Sequence, residues 1–166
     1  MKTYCNIGLS SLLFIIPTLY TLFKVNNDYW YYKIFMFILP IISYICNITF
    51  NTMYTNLDHL NISCIGLSYI YFSKYMIVFY FIIISLFLEF MINQNIIYST
   101  MISYIMLVIS AFQNFTLEQI IVGIICLTIA IYSYMKRNIY SPTYKIHTTM
   151  WHTCNSILLL FASKTF

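Results

Sequence analysis

Charge is what this chain has least of. Of its 166 residues only 7% are Asp, Glu, Lys or Arg, against 61% that are hydrophobic, and the mean hydropathy is +0.82. A water-soluble domain of this size carries about 25% charged residues, so an aqueous exterior is excluded and a membrane protein is expected. The net charge of +4 is scattered, with no basic block longer than Lys136-Arg137, which argues against nucleic-acid binding. Glycine is as scarce, three residues in all, and beside 20% aromatics this excludes collagen-like and flexible low-complexity chains. The long apolar runs lack the period-two alternation of an outer-membrane barrel. None of the five cysteines forms a CxxC, and their odd count, mostly in or beside apolar runs, reads as small core residues in place of a disulfide or metal framework. No small-residue cleavage site follows the apolar stretch from Ile7 to Phe23, the first alanine being Ala111, so a retained first helix is expected and a cleaved signal peptide is not.

What the chain has is a succession of apolar runs. Crossing a bilayer by helix takes ~20 residues, so seven crossings use about 140 and leave roughly 26 for loops and tails. A separate soluble domain has no room, and residues 1–166 read as one integral membrane domain. The polar interruptions place spans near 7 to 23, 30 to 49, 57 to 73, 75 to 92, 96 to 112, 117 to 135 and 147 to 163. The fold class is therefore all-α: a polytopic, multi-pass membrane helical bundle of seven transmembrane helices, or six if the third and fourth spans, parted only by Ser73-Lys74, are one. Thr116-Leu-Glu118 marks a helix start, Ser141-Pro142 a break before the last span, and Pro17 and Pro40 should kink theirs. The basic residues do not fix orientation. Lys2, Lys136, Arg137 and Lys145 fall on one side, Lys24, Lys33, Lys74 and Lys164 on the other. The N-x-S/T triplets at Asn47, Asn61 and Asn114 lie at or inside predicted membrane edges, where a glycan acceptor is poorly accessible. The tyrosines of 29–32 and 69–80 read as an interfacial belt.

Ionisable groups in apolar spans are costly, which makes them functional candidates. Here they share one membrane face. Asp58 and His59 open the third span, His147 and His152 open the seventh, and Ser43 and Asn47 lie in the last turns of the second, on one helical face at i and i+4. Plainer roles exist for each: Ser43 can bond its own helix backbone, Asp58 can cap a helix start, and His59 and His147 can sit at the interface. Glu89 and Glu118 read as boundary carboxylates.

The residues Ser43, Asp58 and Trp151-His152 resemble the pattern of the CREST superfamily of seven-span membrane proteins, which includes alkaline ceramidases, adiponectin-type receptors and myomaker-type proteins. That pattern is Ser-x3-His ending the second span, Asp opening the third, and His-x3-His, often preceded by Trp, in the last. The segment Asn138-Ile-Tyr-Ser-Pro-Thr-Tyr144 after a basic pair is similar to one in the myomaker-type branch. Two positions depart from the pattern: Asn47 replaces the first histidine, and Thr148 stands four before His152, with His147 displaced by one. On a regular helix His147 and His152 point about 140° apart. The resemblance implies a zinc ion held by His152 with His147, His59 or Asn47, and zinc-activated water attacking a membrane-lipid amide. It further implies that Asp58 holds or deprotonates that water and that Ser43 orients it or stabilises the oxyanion. Two readings follow: a zinc-dependent lipid amidase, its site degraded, or a non-catalytic membrane protein that organises lipids or partner proteins. A pore is disfavoured, because no span shows a repeated polar stripe.

Overall fold

Runs of Ile, Leu, Phe and Tyr with few polar side chains leave the backbone to satisfy its own hydrogen bonds, and the helix does this within a single segment. In a computed structural model, which describes residues 9–49, 52–72, 76–93, 96–136 and 140–166, the described residues form seven α-helices and no strand. A 3-10 segment, Leu9–Phe14, leads into α1 (Ile15–Lys24), and a 3-10 turn, Asn27–Tyr29, into α2 (Trp30–Thr49). There follow α3 (Thr52–Phe72), α4 (Met76–Asn93), α5 (Ile97–Phe112), α6 (Leu117–Lys136) and α7 (Tyr144–Ser163). Each expected span has its helix, and the third and fourth are separate helices. Lys2, Cys5, Lys74, Tyr75, Arg137 and Asn138 lie outside the described residues, as do the side chains of Tyr69 and Tyr71.

Among the described residues two helices are long and apolar enough to cross a membrane by length and composition: Asn27–Thr49, which is α2 with its leading turn, and α6. Only 33% and 22% of their apolar windows are buried within the chain. An apolar helix at the core of a water-soluble protein is covered on most sides, and these are not. The other helices also turn large apolar side chains outward, among them Phe23 on α1 and Phe87, Met91 and Ile92 on α4.

Helix α7 is central. It packs against α1, α6 and, over a shorter stretch, α5; α3 packs between α2 and α5, and α4 lies against α3 and α5. The core between them is built from Tyr32, Met36 and Leu39 of α2, Tyr104 and Leu107 of α5 and Leu158 of α7. Although consecutive, α5 and α6 do not pack along their lengths; they diverge from the turn at 113–116.

Local chemistry explains several boundaries. Thr116 and Gln119 form a reciprocal capping pair, the Gln119 Oε1 accepting from Thr116 N at 3.0 Å and the Thr116 Oγ1 from Gln119 N at 3.3 Å, which starts α6. Glu89, buried on α4, accepts from the backbone N–H groups of Tyr98 (2.8 Å) and Ser99 (2.7 Å), so one carboxylate satisfies two orphan donors in the first turn of α5. The boundary role expected of Glu89 is thus a cap donated by the preceding helix.

Pro40 lies inside α2, where it cannot donate to the carbonyl of Met36. That carbonyl accepts instead from Thr18 Oγ1 of α1 at 2.7 Å. Thr18→Val removes only the hydroxyl and strands a buried acceptor, so it should lower stability by about 1–2 kcal/mol, while Thr18→Ser should restore most of the loss. Thermal unfolding of the detergent-solubilised protein reads both. Equal melting of Thr18→Val and the parent would show that Met36 finds another donor.

Candidate functional site

The 3-10 segment ahead of α1 brings Ser10 and Ser11 between the end of α2 and the first half of α7. Ser43 and Asn47, one helical turn apart, face it from α2, and His152 faces it from α7. All five side chains are buried, His152 to 1% exposure. Asn47 Nδ2 donates to the Ser43 carbonyl at 2.7 Å and lies 3.2 Å from Ser11 Oγ, and Ser43 Oγ donates to Ser11 Oγ at 3.3 Å. His152 spans the group: Nδ1 is 2.6 Å from Ser10 Oγ and Nε2 is 3.4 Å from Asn47 Nδ2. Phe14 packs edge-on against the imidazole at 5.3 Å.

These contacts set the proton positions. The short bond to the Ser43 carbonyl fixes the Asn47 amide with its nitrogen inward, so the His152 Nε2 facing it is the acceptor. A neutral ring that accepts at Nε2 carries its proton on Nδ1, facing Ser10 Oγ; the tautomer decides which of these two atoms donates. The cluster is cross-linked by hydrogen bonds and joins the 3-10 segment leading into α1 with α2 and α7. A second polar group joins the same three helices farther along, where Ser163 Oγ meets Thr21 Oγ1 at 2.8 Å and the Tyr32 hydroxyl at 3.0 Å.

The structure brings Ser43, Asn47 and His152 together. Asp58 is half-buried on α3, and His59 beside it is buried and lines a cavity between the helices. The ring of His147 faces α6, its centroid 6.0 Å from that of Tyr132. Thr148, one turn before His152 on the same face, is fully buried, and Glu118 is exposed in the first turn of α6. Among the described residues no three of His, Cys, Asp or Glu stand close enough to hold a metal ion. At the cluster the donors are one imidazole, an amide and hydroxyls already bonded to each other, a poor fit to zinc, which takes imidazole, thiolate or carboxylate. Ser10 and Ser11 were not among the expected site residues. Their signal in the sequence is a paired serine at the depth of Ser43 and His152 in an otherwise apolar run. Compared with known proteins, the chain matches no family model, no curated protein and no solved structure.

Proposed function

We propose that this chain is a multi-pass integral membrane protein of seven crossings that acts without catalysis, as an organiser of membrane lipids or of partner proteins. Its outward-facing apolar shell supports the membrane setting, since so many large apolar side chains in water would form an aggregating surface, whereas lipid solvates them. The observation that carries the non-catalytic reading is the engagement of both His152 ring nitrogens, by Ser10 and by Asn47. A histidine tied on both sides to neutral partners holds helices together, and the asparagine stands where a second imidazole would be needed to bind zinc.

Elemental analysis of the purified protein tests this. The expected result is far less than one zinc per chain, with His152→Ala altering stability and leaving metal content unchanged. One zinc per chain, lost in His152→Ala and accompanied by hydrolysis of a lipid amide, would replace this reading with the zinc-dependent amidase, in which Asp58 and Ser43 take the roles the resemblance implies. The seven crossings are read separately: tags at the two ends should fall on opposite sides of sealed vesicles, and protease reaching both or neither would exclude the odd count.

A further inference from the structure

The buried residues of α6 are all small: Gly123, Cys126, Ala130 and Ser133. Small side chains let two helix backbones approach closely, and α7 packs along this stripe. Three contacts give the seam an antiparallel register. A Cβ on Gly123 would meet Leu158 at 3.7 Å, the Tyr134 ring is 5.0 Å from that of Trp151, and the Tyr132 ring is 6.0 Å from that of His147. About one turn onward along α6 from Gly123, and one turn back along α7 from Leu158, Cys126 stands opposite Cys154. The two thiols, each 6% exposed, hydrogen-bond to one another across the seam and are not joined.

Both cysteines are at mid-helix, with no Asp, Glu, Lys or Arg within two turns of either on its own helix, and α5 carries no charged residue at all. A soft monovalent metal ion held by the pair would need both sulfurs as thiolates and would leave a net negative charge in an apolar seam, with no cation on these helices to offset it. A disulfide is neutral and suits the same place. The bond would also have mechanical weight, because α6 packs extensively on α7 alone among the described helices, and only 22% of its apolar window is buried.

We propose that Cys126 and Cys154 are a redox modification site, at which a small neutral peroxide joins the two thiols as a disulfide and fixes α6 to α7. One sulfur attacks a peroxide oxygen, the O–O bond breaks, and a sulfenic acid forms as the departing oxygen takes the thiol proton and leaves as water, or as an alcohol from an alkyl hydroperoxide. The second sulfur attacks the first, the S–O bond breaks, and the leaving hydroxide takes the second thiol proton as water. Two thiols and one hydrogen peroxide give one disulfide and two waters. Burial keeps bulky or charged oxidants out, so a small neutral one is required. Neither functional reading above is needed for the bond to form.

The test treats the full chain in lipid nanodiscs with tert-butyl hydroperoxide, beside the charged oxidant ferricyanide, and then alkylates the remaining thiols after denaturation. Trypsin cuts at Lys136, Arg137 and Lys145, so the fragments carrying Cys126 and Cys154 stay together on a non-reducing gel only through the bond. The hydroperoxide is expected to give this linkage in about tenfold greater yield than any other cysteine pairing, and ferricyanide to give little. The oxidised protein should melt about 5 °C or more above the reduced one, and a dithiol reductant should reverse both changes. Cys126→Ala or Cys154→Ala should remove the linkage. A chain in which Cys5, Cys46 and Cys64 are alanine should form it as the parent does, and serves where either single change prevents folding. Thiols that stay fully alkylatable after the hydroperoxide, separate oxidation of each sulfur without a bond between them, or a linked form that melts below the reduced one would overturn the proposal.

Discussion

Exchanging Gly66 for leucine is expected to part α3 from α5 and to cost roughly 3 kcal/mol or more, enough to deplete the folded form in detergent. The two helices approach closely here. A Cβ on Gly66 would lie 2.8 Å from the backbone carbonyl oxygen of Ser103 and would overlap its hydroxyl oxygen. The contact is held by small polar side chains, with Ser63 Oγ 3.0 Å from Thr100 Oγ1 and Ser103 Oγ donating to the Ser63 carbonyl at 3.1 Å, so the whole seam depends on backbone proximity. Because the obstructing atom is backbone, the only relief is to move a helix. Gly123→Ala supplies the contrast: its Cβ would meet the edge of the Phe112 ring at 2.8 Å, and a ring can swing aside. Size-exclusion profiles and melting temperatures of the two variants should differ clearly. Equal, small losses in both would mean that α3 and α5 slide past one another freely.

Replacing Asn47 by histidine is expected to give the cluster zinc affinity that the parent lacks, by about 100-fold or more, since it sets a second imidazole beside His152 Nε2 in place of an amide. Ligating imidazoles must be unprotonated, so the gain should be small at pH 5 and grow as pH rises through ~6.5, the ordinary histidine pKa. Zinc titration of the Asn47→His protein, with Asn47→His/His152→Ala as control, measures it. The pattern that suggests histidine at position 148 meets an obstacle the sequence does not disclose: Thr148 is fully buried, and a ring there has to displace its neighbours. Thr148→His should therefore add instability before it adds a ligand. Should the parent already bind zinc as tightly as Asn47→His, the neutral-cluster account fails.

Helix order was legible because the apolar runs are long and their interruptions short: α2 covers residues 30 to 49 as expected, and α5 and α6 begin and end within a residue of their expected limits, but α3 begins at Thr52, five residues before its expected start, so Asp58 and His59 lie inside that helix and do not open or cap it. Helical phase and alternating helix direction placed Ser43, Asn47 and His152 on one membrane face, and it was the resemblance that implied their meeting; the turning of His147 toward Tyr132 follows from its five-residue offset from His152. Ser10 and Ser11 were not legible, because a serine in an apolar helix more often bonds its own backbone, and the 3-10 winding that turns both into the cluster has no strong sequence mark. The partners of Glu89 and Thr18 escaped for another reason. Each satisfies backbone groups of a different helix, and which backbone needs help is decided by packing that no single segment encodes.

If the chain inserts into a bilayer as proposed, the bond from Thr18 to the Met36 carbonyl has a consequence for the order of insertion. A helix entering a bilayer with a bare carbonyl at mid-length bears that penalty until a donor arrives. For α2 the donor sits on the segment made just before it. Under the membrane proposal the first two helices are suited to leave the translocation machinery as a hairpin, with α2 shielded by α1 as it enters the lipid, and a chain in which α1 is delayed would hold α2 at the aqueous boundary until its partner comes.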